Sequence, residues 1–267
     1  MRNFRIEDTI LYEDKEILVC HKPAGIAVQN ARCGSMDLES ALKNYLAAKR
    51  PGKIPYLAVI HRLDQPVEGA IVFAKTPGAA KELNRQISGG EMDKRYLAVT
   101  SQIPQELKTE QEQKSLHDAG EGFAEALPVF WDMKERDLTD YLKKESKTNT
   151  SAVVPKGTPG SKEARLTYRI LQEIIDDRTV SGKRYLLEIH LDTGRHHQIR
   201  VQMAHAGMPL LGDRKYHSGE KTDLPLGLCS CVLAFIHPDK KKKMKFEIFP
   251  KGETFRGFVP RESAMHN

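Results

Sequence analysis

The sequence predicts an α+β fold, with a mostly antiparallel mixed sheet and flanking helices. Two observations lead to this prediction. Apolar runs rich in β-branched and aromatic residues, which are typical of strands, outnumber the segments with helical periodicity. Several of these runs are separated by short turn sequences, which join antiparallel neighbours, whereas parallel strands need a longer crossover.

The first predicted elements are a hairpin and a helix. Residues 9–20 (TILYEDKEILVC) predict two short strands around a turn at residues 13–15, and Pro23 ends the second strand because it cannot donate to a ladder. A helix is predicted from Asp37 to Arg50, with Ser35 as its N-cap. Its apolar residues fall on one face: Leu38, Ala41, Leu42, Tyr45 and Leu46.

A short apolar run follows the polar sequence HRLDQPVEG. Residues 70–75 (AIVFAK) have the composition of a buried strand, and Gly69 before them permits the close approach of another backbone. Asp64 therefore lies in a loop or strand edge that leads into the core, where a carboxylate needs a partner or a function. A second helix is predicted over residues 77–87 and a strand over residues 95–100.

Two polar segments interrupt the second half of the chain. Residues 101–137 begin with a polar stretch that lacks an apolar face, and they are predicted to be an insertion or mobile loop within a single domain spanning 1–267. Residues 146–163, rich in Ser, Thr, Pro, Gly and Lys, are predicted to form a second loop.

The remaining apolar runs predict two further strand pairs. Residues 164–171 and 185–191 are separated by a turn at Ser181-Gly182. The sequences CSCVLAFIHP and KMKFEIFP flank a lysine run at residues 240–243, which is more typical of a hairpin tip than of a localisation signal.

Composition bounds the class of protein. The 267 residues are 39% hydrophobic and 29% charged, which is typical of a globular chain. The apolar runs are too short to cross a bilayer, and the N-terminal residues lack the apolar region of a signal peptide, so we expect a cytoplasmic protein with no membrane partner. We also expect a monomer. A net charge of +6 is compatible with a polyanionic partner.

The four cysteines predict neither disulfides nor a metal site. Cys20, Cys33, Cys229 and Cys231 form no C-x-x-C pair and no regular framework. Cys229 and Cys231 would share one face of a strand, but no second pair of ligands suitable for zinc stands near them in the sequence.

Four segments together resemble the RluA-type family of RNA pseudouridine synthases. They are HKPAGIAV (21–28), HRLDQPVEGAIVFAK (61–75), KRYLAV (94–99) and GRHHQIRVQMAHAGMPLLGDRKY (194–216). The resemblance covers nearly the whole chain, and the HRLD and GR-x-HQIR blocks in combination are highly specific. Since HKPAG begins at residue 21, the family's separate N-terminal S4-like RNA-binding domain is not expected.

The resemblance implies a pseudouridine synthase fold with an active-site cleft across the sheet. It also implies a reaction: the bond from uracil N1 to ribose C1′ breaks, the base rotates, and a bond from C5 to C1′ forms. Nothing is oxidised or added, so no cofactor or metal is expected. In agreement, the sequence contains no Gly-rich dinucleotide turn and no P-loop. The implied substrate is structured ribosomal or transfer RNA.

The resemblance also assigns the catalytic residues. Asp64 matches the catalytic aspartate, which acts at the ribose either as a nucleophile at C1′ or as a base at C2′. Arg200 matches the basic residue that pairs with it and keeps it ionised. Tyr96 matches the tyrosine that stacks on the base and assists loss of the C5 proton. Without the resemblance, a loop cap, a surface charge and a core tyrosine would be the ordinary interpretations.

Further residues near these motifs are expected to bind substrate, because a uridine in folded RNA must leave its stack before C1′ is reached. We expect this of His61, Arg62, Lys22, Arg195, His197 and Leu211, and Arg214 and Lys215 are additional candidate phosphate contacts. A solvated charged surface is the alternative for the basic residues.

The chain departs from the family pattern directly after Asp64. A small hydroxyl pair usually precedes the glycine, whereas Val67 and Glu68 precede Gly69 here. Glu68 would repel phosphate, or raise the pKa of Asp64 if it lies close. This departure leaves open a catalytically silent RNA-binding paralogue. A hydrolase with Asp64 as nucleophile ranks last, since the sequence shows no companion general acid at a recognisable spacing.

Overall fold

Strands predominate over helices in the computed structural model, which describes residues 5–29, 36–109, 129–131, 134–217, 219 and 222–259. The strands are β1 (Ile10–Glu13), β2 (Ile17–Lys22), β3 (Ala58–Val59), β4 (Glu68–Ala74), β5 (Asp93–Thr100), β6 (Val129–Phe130), β7 (Arg136–Glu145), β8 (Thr150–Val154), β9 (Lys162–Ile175), β10 (Lys183–Leu191), β11 (Leu228–Ile236) and β12 (Lys243–Glu247). The longer helices are α1 (Leu38–Lys49), α2 (Pro77–Ser88) and α3 (Gln198–His205). Short 3₁₀ helices span Ile6–Thr9 and Glu253–Phe255.

The chain divides into two units. Unit one is Met1–Arg95 with Cys229–Pro250, and unit two is Tyr96–Leu228 with Lys251–Asn267. In unit one the strand order is β1-β2-β4-β11, with β3 on β4 and β12 on β11. The β4–β11 pair is parallel, whereas the pairs β1–β2, β2–β4, β3–β4 and β11–β12 are antiparallel, so its sheet is mixed.

Helices α1 and α2 pack on opposite faces of the unit-one sheet. Ile17 and Val19 of β2 share a core cluster with Leu83 of α2, while the alternate residues Leu18 and Cys20 share another with α1. This follows from the two-residue period of a strand, which sends successive side chains to opposite faces. Burying each large aliphatic side chain stabilises the fold by about 1.5–3 kcal/mol.

Strand β4 is the central element that follows the HRLD sequence. All seven of its residues are buried, as the apolar run predicts. Gly69 has φ +146°, and a Cβ there would lie 2.5 Å from the Cβ of Ser230 on β11. Only glycine therefore fits at this point of close approach between the two strands.

Unit two contains a second run of antiparallel strands, in the order β5-β10-β9-β7-β8 with β6 paired to β9. Helix α3 packs on it through Val201, which contacts Leu142 of β7 and Ala164 of β9 in a small apolar cluster. The fold class predicted from the sequence is confirmed: the sheet is mixed and mostly antiparallel, with few helices.

The two predicted N-terminal helices are present, but one cap differs. Asp37 caps α1 by accepting the N–H of Ser40 at 2.8 Å, so the prediction of Ser35 as the cap is wrong. Thr76 caps α2 in the same way, and Pro77 occupies the first helical position, where its missing N–H costs nothing.

The prediction of a loop over residues 146–163 is wrong in part. Strand β8 lies inside it and pairs with β7, and β9 begins before its end. The short Val153-Val154 run supplies the β-branched residues, but the surrounding Ser, Thr, Pro and Gly conceal it. Of the predicted insertion at 101–137, residues 110–128 lie outside the described residues.

The predicted hairpins are confirmed. Strands β1 and β2 pair around residues 14–16, and β9 pairs with β10 across the turn containing Gly182. Strands β11 and β12 pair across the lysine run, where His237 N–H bonds the carbonyl of Lys242. No helix in the described part of the chain is long and apolar enough to span a membrane.

Candidate active site

Asp64 lies in the loop between β3 and β4, half-buried, and its carbonyl accepts the N–H of Val67 at 3.0 Å. This turn leads directly into β4, whose first residue is Glu68. The rigid strand fixes one end of the loop that carries the carboxylate.

His61 anchors the other side of the same loop. Its Nε2 accepts the backbone N–H of Val72 at 3.3 Å. Burial, together with the nearby Lys94, lowers the pKa of His61 to about 3, so the ring is neutral at physiological pH. The structure does not support a cationic contact between His61 and the substrate. The imidazolium form would need a proton on Nε2, and this nitrogen accepts the backbone N–H of Val72.

Lys22 is fully buried, and its ammonium holds the loops around Asp64. It donates to the carbonyls of Pro23 at 3.0 Å, Ile26 at 2.7 Å and Gln65 at 3.1 Å. These bonds use all three N–H groups of the ammonium. These internal bonds give no support for a phosphate contact by Lys22, whose binding to substrate stays a prediction.

The buried ammonium is also the counter-charge of the loop. Burial lowers the pKa of Lys22 to about 8, and the charges of Asp64 and Glu68 oppose that shift. The negative charge of Asp64 thus favours the protonated form of Lys22.

Glu68 is buried at the start of β4. Its Oε2 lies 3.4 Å from Nε2 of His21 on β2. Because Glu68 is 6% exposed, the expectation that it repels RNA phosphate at the surface is not supported.

In unit two, Arg200 of α3 forms a two-pronged ion pair with Asp213. Nε donates to Oδ2 and Nη2 donates to Oδ1, each at 2.7 Å, and both side chains are buried. Burial raises the pKa of Asp213, but the bonds from Arg200 and from the N–H groups of Lys215 and Tyr216 outweigh it and lower that pKa. Asp213 stays ionised and fixes the plane of the guanidinium.

Tyr216 connects this ion pair to the β7–β8 hairpin. The Arg200 guanidinium carbon lies 5.2 Å from the centre of its ring. Its hydroxyl accepts the N–H of Ser151 at 2.7 Å and bonds Nδ1 of His197 at 2.8 Å. Ser151 also donates to the carbonyl of His196 at 2.8 Å. The two residues before α3 are therefore both hydrogen-bonded, His197 to Tyr216 and His196 to Ser151.

His197 is buried, and it begins α3 with φ +54°. It stacks on His196 with ring centres 3.8 Å apart. Since its Nδ1 bonds Tyr216, the ring is committed to internal contacts, and the structure gives no support for direct substrate binding by His197. Leu211 is fully buried and its backbone bonds Val99 and Gly227; its substrate contact stays a prediction.

Four of the predicted basic contacts are exposed. Arg62 lies on the surface, and so does Arg195, whose Nε donates to the carbonyl of Glu163 at 2.8 Å. Arg214 and Lys215 are exposed too, the latter bonding the carbonyl of Asn149.

Tyr96, in β5, is 8% exposed. The pairing of Arg200 with Asp64 and the roles of Tyr96 and Asp64 remain predictions.

Three contributors were not singled out from the sequence: Asp213, Tyr216 and Ser151. The first two lie inside the quoted GRHHQIR…LGDRKY block, three residues apart. Their position in that block was the available signal, whereas Ser151 lies in a segment that had been predicted to be a loop.

Comparison with known proteins decides the family. The family described as RNA pseudouridylate synthase matches residues 16–205. The chain belongs to this family. Within it, the chain is RluA-type: it is 30% identical over 241 residues to the dual-specificity RNA pseudouridine synthase RluA of Salmonella typhimurium, covering 90% of this chain and 91% of that protein.

Other members of the pseudouridine synthase family are longer. The ribosomal large subunit pseudouridine synthase D of Xylella fastidiosa is 32% identical over 241 residues, covering 90% of this chain and 60% of that protein. The synthase D of Xanthomonas campestris is 31% identical over 258 residues, covering 94% and 65%. This RluA-type chain therefore spans about two thirds or less of these two relatives.

The fold of this pseudouridine synthase family member also matches a solved structure. Human RNA pseudouridylate synthase domain containing 4 superposes with a TM-score of 0.65 at 18% identity, covering 92% of this chain and 90% of that one. At this identity the likeness concerns the fold alone.

Proposed function

We propose that this protein isomerises uridines in RNA to pseudouridine and that ribosomal RNA is its substrate. The observation that carries the proposal is the family match over residues 16–205, which includes Asp64, Tyr96 and Arg200. Two of the relatives above are named for the large ribosomal subunit. The RluA of Salmonella typhimurium, of which 91% is covered, is named a dual-specificity synthase. The experiment below therefore examines transfer RNA as well as ribosomal RNA.

Asp64 acts at the ribose in this proposal. Cleavage of the glycosidic bond develops positive character at C1′, and a carboxylate either attacks that carbon or removes a proton from C2′. The buried Lys22 ammonium donates to the carbonyl of Gln65, the residue after Asp64, and holds it in place. The loop thus offers a charged group on a fixed backbone.

Arg200 serves as the counter-charge of Asp64, and Tyr96 stacks on the uracil and assists loss of the C5 proton. The ion pair with Asp213 uses Nε and Nη2 of Arg200. An arginine fixed in this way can serve two carboxylates without reorganising.

The exposed basic residues are the proposed RNA contacts. Arg62, Arg195, Arg214 and Lys215 lie at the surface, where a guanidinium or ammonium can meet a phosphate. The active-site cleft across the sheet, the monomeric state and a cytoplasmic location belong to the same proposal.

One experiment tests the function and names the substrate. Pseudouridines are mapped in ribosomal and transfer RNA from a deletion strain and its parent by a carbodiimide that marks them. We expect specific sites to vanish from ribosomal RNA and to return when the gene is restored. Sites lost from transfer RNA alone would reassign the substrate, and an unchanged map would contradict the proposal. That last result is what the alternative, a catalytically silent RNA-binding paralogue, requires.

A further inference from the structure

The loop that carries Asp64 is joined to the HKPAG loop, residues 21–25, at Gln65. Asp64 and Val67 close a turn, since the carbonyl of Asp64 accepts the N–H of Val67 at 3.0 Å. Gln65 is the first of the two residues between them, and it is exposed. A contact that holds Gln65 in place therefore also holds the turn that presents Asp64.

Gln65 and Gly25 are joined by a reciprocal pair of hydrogen bonds. The N–H of Gly25 donates to the backbone carbonyl of Gln65 at 2.9 Å. The side-chain Nε2 of Gln65 donates back to the carbonyl of Gly25 at 3.0 Å. A carbonyl only accepts hydrogen bonds, so the side-chain amide of Gln65 turns its nitrogen toward Gly25. Both polar groups of this glycine backbone are thus bonded to one residue.

The HKPAG loop is shaped to meet Gln65. Gly25 has φ +88°, in the left-handed region that favours glycine, and a Cβ there would meet nothing within 4 Å. Glycine is thus required by the backbone conformation and not by lack of space. The buried ammonium of Lys22 supports both loops, because it donates to the carbonyls of Ile26 and Gln65. The carbonyl of Gln65 therefore accepts two hydrogen bonds, and its side chain adds a third link.

We propose that Gln65 is a positioning residue for catalysis: its side-chain amide closes the pair with Gly25 and so fixes the turn from which Asp64 acts on the ribose. The inference rests on the proposed function. The backbone carbonyl at position 65 is present in any amino acid, whereas the bond from Nε2 needs this side chain. Misplacing a reacting group by about 1 Å can cost about 100-fold in rate, so a small loosening of this turn is enough to slow the reaction.

The test compares Gln65→Met with wild type. Methionine keeps the length of the side chain but cannot donate to the Gly25 carbonyl. We expect kcat on ribosomal RNA from the deletion strain to fall by at least about threefold, while KM stays within about twofold. Gln29→Met is the matched control, because it removes another hydrogen bond of an exposed amide, from Nε2 of Gln29 to Glu39 at 2.6 Å. Its kcat should stay within about twofold of wild type.

Hydrogen exchange supplies a readout that is independent of the reaction. The pair with Gln65 protects the N–H of Gly25, so this amide should exchange at least about threefold faster in Gln65→Met than in wild type when followed by NMR. Gln29→Met should leave its exchange rate unchanged. If the wild type forms no pseudouridine, the proposed function fails, whereas the exchange rate still decides whether Gln65 holds the HKPAG loop.

Four results would overturn the proposal. A fall in kcat of less than about threefold in Gln65→Met would show that the bond is not needed for catalysis. A rise in KM of more than about twofold would make Gln65 an RNA contact. A fall in kcat without faster exchange at Gly25 would exclude the HKPAG loop as the cause, and a Gln29→Met variant as slow as Gln65→Met would remove its specificity. If Gln65→Met does not fold, Gln65→Ala takes its place under the same limits.

Discussion

The guanidinium of Arg200 and the carboxylate of Asp213 form two parallel hydrogen bonds, each 2.7 Å long, inside unit two. This geometry fixes an arginine plane that a single contact could not fix. The orientation of Arg200 therefore depends on Asp213, a residue to which no catalytic role is assigned.

Asp213→Asn should therefore impair the protein through Arg200. Removing one partner of a buried pair leaves the other charge uncompensated and costs about 3–5 kcal/mol. We expect a lower Tm and a lower kcat, measured by thermal unfolding and by pseudouridine formation on ribosomal RNA. Asp177→Asn, at an exposed position, is the matched control and should leave both values near wild type. Equal values for Asp213→Asn and wild type would show that Arg200 needs no such partner.

The buried Lys22 ammonium predicts a pH dependence of stability. Its pKa is lowered from 10.5 to about 8 by burial, so between these values the unfolded chain holds the proton and the folded chain does not. Stability contributed by this group therefore rises as pH increases from about 8 to about 10.5. The free energy of unfolding of wild type minus that of Lys22→Met should rise across this window, by roughly 3 kcal/mol at most.

Denaturant titrations at several pH values measure this difference. Lys81→Met, at an exposed position on α2, is the control and should show no comparable rise. A flat or falling difference for Lys22→Met would contradict the assignment of Lys22 as a buried ammonium.

Tyr96→Phe separates stacking from proton transfer. The ring remains, so RNA binding and glycosidic cleavage should continue, while the late loss of the C5 proton should slow. Single-turnover rates on uridine RNA measure this, and RNA with 5-fluorouridine, which has no C5 proton to lose, is the control on which variant and wild type should behave alike. A wild-type rate on uridine RNA would make Tyr96 a packing residue only.

Local signals explain why some elements could be predicted. Helix α2 has the Thr76 cap, Pro77 at its first position and a regular apolar face, so local and tertiary preferences agree. Helix α3 was not predicted because His197 begins it in a left-handed conformation without a side-chain cap, and most of its residues are buried, so no amphipathic pattern remains.

The candidate site was predictable where a motif carried it and not where burial decided the role. Asp64, Tyr96 and Arg200 came from resemblance. Lysine is rarely fully buried, so nothing in HKPAG indicates that the Lys22 ammonium is consumed by three carbonyls. In the sequence, Asp213 has the pattern of an ordinary turn residue after glycine. Its role was not predicted, because its partner Arg200 lies thirteen residues away on a helix that the sequence did not predict.

The most direct test of the central claim is tritium release from C5-labelled uridine in ribosomal RNA of the deletion strain, comparing wild type with Asp64→Asn. The amide keeps the shape of the side chain but loses the charge that acts at the ribose. Wild type should release tritium, and the variant should release none above background while binding the RNA within about threefold of wild type. Turnover by Asp64→Asn near the wild-type rate would contradict the assignment of Asp64 as the catalytic residue.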